Sequence, residues 1–94
     1  MSLRESLQKK LETQTEYWSK QIKSLQADAE EKMAKAEDDQ AEAEIQKDFS
    51  KRIQSLEKHI EEARKKISEI RDSGEDHLKD LKARIDDWLP GGKN

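Results

Sequence analysis

Cysteine is absent from the chain, which excludes disulfides, thiolate metal sites and cysteine nucleophiles. Helix breakers are nearly absent: the one proline is Pro90, and the three glycines are Gly74, Gly91 and Gly92. Everything before Gly74 therefore lacks both strong interruptions of a helix. Apolar side chains are scarce, at 31% of 94 residues against 44% Asp, Glu, Lys and Arg, too few to wrap a globular core. No apolar run approaches the ~18 residues of a membrane span or has the form of a signal-peptide core, so a cytoplasmic location is expected. Positive charge is not in excess either. The net charge is −3, which gives no reason to expect nucleic acid as a partner. A Gly-rich phosphate loop, a Ser/His/Asp constellation and an aromatic-basic surface for single strands are all missing.

Two kinds of chain have this composition: a disordered polyampholyte, and long helices that bury a narrow stripe. Periodicity selects the helices. The first third carries Leu3, Leu7, Leu11, Trp18, Ile22, Leu25, Ala29, Met33 and Ala36, with Gln14 in the missing slot, in steps of 4, 4 and 3. Such an eleven-residue repeat, ~3.67 residues per turn, keeps a stripe nearly straight on one helix face. The second stretch reads Ile45, Phe49, Ile53, Leu56, Ile60, Ala63, Ile67 and Ile70, and from Ile53 its steps alternate 3 and 4, a heptad seam. Neither pattern serves a strand, whose period is 2. Glu precedes Lys by four at Glu5/Lys9, Glu16/Lys20, Glu31/Lys35, Glu61/Lys65, Glu62/Lys66 and Glu75/Lys79, each pair supporting a helix by a few tenths of a kcal/mol. The expected fold class is all-α, with long antiparallel coiled-coil helices in one domain over 1–89. Its expected helices are 2–37, 41–72 and 75–89, followed by a flexible tail at 90–94.

Near Gly74 the seam slips, with Ile70, Gly74 and Leu78 four apart before Leu78, Leu81, Ile85 and Trp88 resume steps of 3, 4 and 3. Ser73 with Asp76 has the form of a capping box, so a short third helix is one reading. A single helix carrying a stutter through Gly74 is the other. Folding the chain back at Asp39 sets Met33 opposite Ile45, Ala29 opposite Phe49, Leu25 opposite Ile53, Ile22 opposite Leu56, Trp18 opposite Ile60 and Leu11 opposite Ile67. Bulky Phe49 then meets small Ala29, as close packing asks. A hairpin turning at 37–40 makes these contacts within one chain, and two uninterrupted antiparallel helices crossing at Asp39 make the same contacts between chains. The absence of Gly and Pro from 34–44 favours the second, while Asp39 followed by Glu42 as a cap favours the first. The candidate core and interface residues are Leu11, Trp18, Ile22, Leu25, Met33, Phe49, Ile53, Leu56, Ile60, Ile67, Leu78, Leu81, Ile85 and Trp88. Tyr17, Trp18, Phe49 and the 78–89 face are expected to overhang a two-helix pair. A homo-oligomer, either a dimer of hairpins or of antiparallel helices, would cover them, and another helical protein is an alternative partner.

Charge is unevenly spread: residues 1–25 carry +2, 26–48 carry −6, 49–71 carry +3 and 72–94 carry −2. Candidates for chemistry are few. His59 and His77 each have a carboxylate three residues on, Glu62 and Asp80, but two ligands make no tight metal site. Paired carboxylates such as Asp38-Asp39 and Asp86-Asp87 require a desolvated cleft for acid–base work, which a rod does not offer. No catalytic, cofactor-binding or metal-binding residue is expected. The alternative to an interaction protein is an amphipathic helix lying on lipid through Leu78, Leu81, Ile85, Trp88 and Leu89, in the manner of a small exchangeable apolipoprotein. Its polar face bears Glu75, Asp76, Asp80, Asp86 and Asp87 against Lys79, Lys82 and Arg84, an acidic balance that suits an anionic membrane poorly.

Trp18, Ile22, Leu25, Ala27 and Ala29 form a Trp-x3-Ile-x2-Leu-x-Ala-x-Ala segment, and Gly74, Glu75, Asp76, Leu81, Lys82 and Ala83 form a Gly-Glu-Asp-x-x-x-x-Leu-Lys-Ala element. In both the chain resembles a family of short bacterial coiled-coil proteins of the hypothetical or stress-response type, over most of its length. The resemblance implies a small soluble helical protein with a stress link, and no activity or ligand. Leu78 stands where that family usually has an aromatic residue, and Arg84 where it has a small one, which puts in doubt whatever that face binds in relatives.

Overall fold

A computed structural model describes residues 2–89. They form three helices, α1 (Leu3–Ala34), α2 (Asp39–Asp72) and α3 (Glu75–Trp88), with no strand among the described residues. The two long helices pack against each other as a hairpin, which decides against the uninterrupted-helix dimer.

The hairpin turn forms without glycine or proline, and its charges explain why. An uninterrupted helix would carry Glu37, Asp38, Asp39, Glu42 and Glu44 through its middle, whereas a helix N-terminus attracts them. Two short hydrogen-bonded steps, from Lys35 N–H to the Lys32 carbonyl and from Ala36 N–H to the Met33 carbonyl, both 3.2 Å, tighten the end of α1. Asp38 then caps α2: its Oδ1 accepts the Ala41 N–H at 2.8 Å, while Asp39 and Glu42 occupy the first turn. The cap therefore sits one residue before the expected Asp39, which is itself helical. At the start of α1, Ser2 Oγ accepts the Glu5 N–H at 3.2 Å in the same way.

The second break falls at Ser73-Gly74, so α3 is a separate helix and not a stutter. The expected Ser73/Asp76 capping box does not form. Ser73 Oγ instead donates back to the Glu69 carbonyl at the end of α2, and Gly74 takes the N-cap position with no side-chain bond. Arg4 does the capping from the other side, its guanidinium donating to the Ile70 carbonyl at 3.3 Å and the Ser73 carbonyl at 2.7 Å. At the far end α3 stops at Trp88, with Leu89 extended at φ −68°, ψ 143°, as a residue preceding proline prefers.

The chain divides into two compact units. The first joins the described residues of 1–13 with those of 62–94 and is a three-helix bundle. Arg4 reaches Ser73, Lys10 Nζ meets Asp86 Oδ1 at 2.9 Å, and Trp88 Nε1 donates to Glu62 Oε2 at 2.9 Å. These contacts fix α3 antiparallel to α2 and parallel to α1. Leu11, Ile70, Leu78, Leu81 and Ile85 are fully enclosed, with Leu7, Ala63 and Leu89 completing the core. The second unit, residues 14–61, is the hairpin proper and has only two helices. Its enclosed apolar residues are Trp18, Ala29, Phe49 and Ile60.

Candidate interaction surface

In the three-helix unit the apolar side chains of α3 are consumed. Leu78, Leu81 and Ile85 are each 2% exposed or less, so the 78–89 face does not overhang as expected. The stutter-or-helix ambiguity hid the reason: once α3 turns back, α1 and α2 together cover its stripe. Trp88 is half-buried at the rim, its indole N–H on Glu62 and its ring under Lys66 Nζ, 4.7 Å from the ring centre. Ile67 is half-buried and Leu11 fully buried in the same unit. Asp86 takes both Lys10 and Lys82, the latter at 2.8 Å. The hydrogen bond from Lys10, then that from Lys82, holds its carboxyl below the ordinary carboxylate value.

The two-helix unit is different, because no third helix belongs to it. Trp18 and Phe49 are nevertheless buried, at 4% and 5% exposure, which corrects the expectation that both would overhang. Phe49 is covered by long cationic side chains: Lys32 Nζ lies 5.2 Å and the Arg52 guanidinium carbon 5.4 Å from its ring centre. Arg52 is held there in part by Asp48, at 3.3 Å. Trp18 is stacked by His59, ring centres 5.3 Å apart and tilted by 30°. Neither residue type stands out as a lid in the sequence, where Lys32 and Arg52 belong to the ordinary charged background.

Elsewhere the seam stays half open. Ile22, Leu25, Met33, Ile53 and Leu56 are all intermediate in burial, while Ile60 is buried. On one face of the hairpin an open groove of ≈ 670 Å3 runs between the helices, floored by Leu25 and Leu56 and edged by Gln21, Ser24, Asp28, Lys51, Arg52, Ser55 and His59. A second, smaller groove of ≈ 400 Å3 follows Ala29, Met33, Phe49 and Ile53. Tyr17, 55% exposed, continues the first groove's edge on α1, since Tyr17, Gln21, Ser24 and Asp28 recur at steps of 4, 3 and 4. Gln21 Nε2 donates to the Tyr17 hydroxyl at 3.2 Å, tying the two together.

Among the described residues no group of three or more His, Asp or Glu side chains converges as a metal site would require. His59 lies against Trp18, and Glu62, the carboxylate three residues beyond it, is committed to the Trp88 indole. His77 is exposed in the first turns of α3. No described helix is long and apolar enough to cross a membrane. No family model, no curated protein and no solved structure matches the chain.

Proposed function

We infer that this chain is a cytoplasmic, non-enzymatic coiled-coil protein that works by binding another helix, and that a stress-associated role follows from the resemblance of its two sequence elements to small bacterial coiled-coil proteins. The observation that carries the reading is the half-open seam of the two-helix unit. Ile22, Leu25, Ile53 and Leu56 lie at core spacing yet are only partly buried, leaving a share of their apolar surface in water. Removing that surface from water is favourable by about 25 cal/mol per Å2, and a helix laid in the groove does so with its own apolar stripe. The lipid-surface reading has less support, because Leu78, Leu81, Ile85 and Leu89, the residues that would face lipid, are already enclosed by protein.

Leu25→Glu with Leu56→Glu places two charges in the groove and tests the reading. The wild-type chain is expected to sediment as an oligomer or to hold a helical partner whose contact maps to the groove by crosslinking. The double variant, with helicity retained in far-UV circular dichroism, is expected to do neither. A wild-type chain that forms no helix–helix complex of either kind refutes it.

A further inference from the structure

The chain already seats one helix, α3, against α1 and α2, and the residues that hold it recur at the open groove. On α2, Glu62 accepts the Trp88 indole N–H, the Lys66 ammonium lies over the ring, and Ala63 between them is fully buried. Seven residues back along the heptad seam, Glu62, Ala63 and Lys66 recur as Ser55, Leu56 and His59, all three of which line the groove. On α1, Lys10, which meets Asp86 of α3, recurs eleven residues on as Gln21, at the groove's other edge. The helix faces that take α3 in the three-helix unit are therefore repeated in the two-helix unit, which has no third helix of its own. What differs is the charge. α3 meets a cation on α1, Lys10, and a carboxylate on α2, Glu62. Among the residues lining the groove the signs are exchanged: α1 offers the carboxylate of Asp28, and α2 offers Lys51 and Arg52. Asp28 and Lys51 are exposed and have no ion-pair partner among the described residues, while Arg52 is tied to Asp48 by an exposed pair.

We propose that the groove binds an amphipathic helix of a different protein, with carboxylates on the flank that lies against α2 and lysine or arginine on the flank that lies against α1. The proposal rests on the reading of this face as a helix-binding surface and specifies the partner. An apolar stripe at steps of 3 and 4 on the incoming helix covers Leu25 and Leu56, as the stripe of Leu78, Leu81 and Ile85 serves the three-helix core. Its acidic flank meets Lys51 and Arg52, and its basic flank meets Asp28. The chain's own short helix is a poor match. Presented as it is in its own site, the α3 of a second copy would set Asp86 along the edge that carries Asp28, acid on acid. The groove runs from Gln21 to Asp28 on one helix and from Lys51 to His59 on the other, a rise of ~10–12 Å. About two turns of the partner are then in contact, a small interface that binds reversibly.

The test uses the full chain and three fluorescein-labelled synthetic helices of ~20 residues, above the length at which isolated helices are marginal. All three carry leucine at steps of 3 and 4 and alanine on the outer face. One has glutamate on one flank and lysine on the other, one has glutamate on both, and one has lysine on both, with helicity matched by circular dichroism. Fluorescence anisotropy at low salt reads Kd, and light scattering reads the mass of the chain alone. The split helix is expected to bind at least about threefold more tightly than either uniform one, a difference of the size exposed charge pairs allow, and high salt is expected to level the three. Asp28→Lys, at an exposed position, makes both edges basic and should transfer the preference to the all-glutamate helix. Lys51→Glu, also exposed, should weaken the split and all-glutamate helices and spare the all-lysine one. Leu25→Glu, with its own helicity retained, should abolish binding of all three. A uniform helix bound by the wild type as tightly as the split one, or no transfer of preference in Asp28→Lys, overturns the charge assignment and leaves the groove a helix-binding surface. A chain that is dimeric until Leu25→Glu halves its mass, and that binds none of the helices, overturns the different partner while the helix-binding reading stands. A monomeric chain that binds none of them, or binding that survives Leu25→Glu, overturns both.

Discussion

The tightest packing in the molecule is around α3, and Leu81→Ala probes it directly. A 14-residue helix is near the length at which helices in water are marginal, so α3 is held mainly by its docking. Leu81 is 2% exposed and sits between Leu78 and Ile85, which are as fully enclosed. Truncating a buried leucine to alanine costs about 2.7–5 kcal/mol, the larger values belonging to sites that cannot collapse. One layer of a small three-helix bundle relaxes better than the middle of a large core, so about 3 kcal/mol is the working figure. Leu78, Ile85 and Leu89 remain as apolar anchors, and the Lys10–Asp86 pair and the Trp88–Glu62 bond add about 1 kcal/mol each at the rim. The helix stays docked on what remains, and the loss is expected to appear as more frequent local opening of α3. Hydrogen exchange followed by mass spectrometry on peptides spanning 75–88 should show protection falling about a hundredfold, the equivalent of ~3 kcal/mol. Tyr17→Ala, at a residue 55% exposed, is the control and should change exchange in the segment around it little. Unchanged protection in 75–88, or a loss no larger than the control's, would falsify the view that a closed apolar layer holds α3 in place.

Three further changes test the other joints of the fold. Arg4→Ala removes both donors from the Ile70 and Ser73 carbonyls and should destabilise by about 1–2 kcal/mol in urea titrations, with Arg4→Lys recovering only part because a lysine lacks the fork; a neutral effect would mean that water caps this end equally well. Gly74 is extended at φ −74°, ψ 165°, with open space where a Cβ would stand, so Gly74→Ser should raise stability by about 0.5–1 kcal/mol through a better N-cap and a less flexible unfolded chain. A fall in melting temperature would show that the glycine is needed after all. Asp86→Asn should destabilise near neutral pH and not in acid. The folded carboxyl titrates below its usual 3.8, so its stabilisation is present above that value and is lost as pH falls through the lowered one. Melting curves of the two proteins should converge as pH is brought down from about 6 to about 2, and a gap that stays constant would exclude Asp86 as the titrating group.

Much of this architecture is written in local patterns. The 4-4-3 stripe and the heptad seam mark two long helices, and the fold-back pairing of Ala29 with Phe49 appears in one groove of the hairpin. What the patterns leave open is topology, because a seam that closes within one chain looks the same as one that closes between chains. The turn is encoded in charge, not in glycine or proline: Glu37, Asp38 and Asp39 disfavour a continuing helix and favour a new one. Sequence also misplaces the caps. Asp38, not Asp39, takes the Ala41 N–H, and Ser73 faces α2 rather than α3. The Arg4 bond to Ser73 spans 69 residues and has no local signature at all. The 78–89 face reads as unpartnered only while α3 is drawn as a continuation of α2. The candidate surface was legible as residues, since Ile22, Leu25, Ile53 and Leu56 are all seam positions. Which of the seam residues would stay wet was not, because that depends on neighbours two or three positions away.

Those neighbours separate a surface that is finished from one that is not. Phe49 has the largest ring-bearing apolar side chain on α2 and no third helix over it, yet it is 5% exposed because Lys32 and Arg52 lay their hydrocarbon stems across it. A chain with 44% charged residues has such stems in abundance and could cover every seam position in the same way. At Leu25 and Leu56 the cover is incomplete: the groove over them is lined by Ser24 and Ser55 together with Gln21, Lys51 and Arg52. Arg52, close enough to contribute, is drawn instead to Phe49 and Asp48. The groove's edges carry Asp28 on one helix and Lys51 on the other, so it offers both signs to whatever enters it. A helix of either uniform charge would meet a like charge on one side, whereas a partner with separated acidic and basic stretches meets neither.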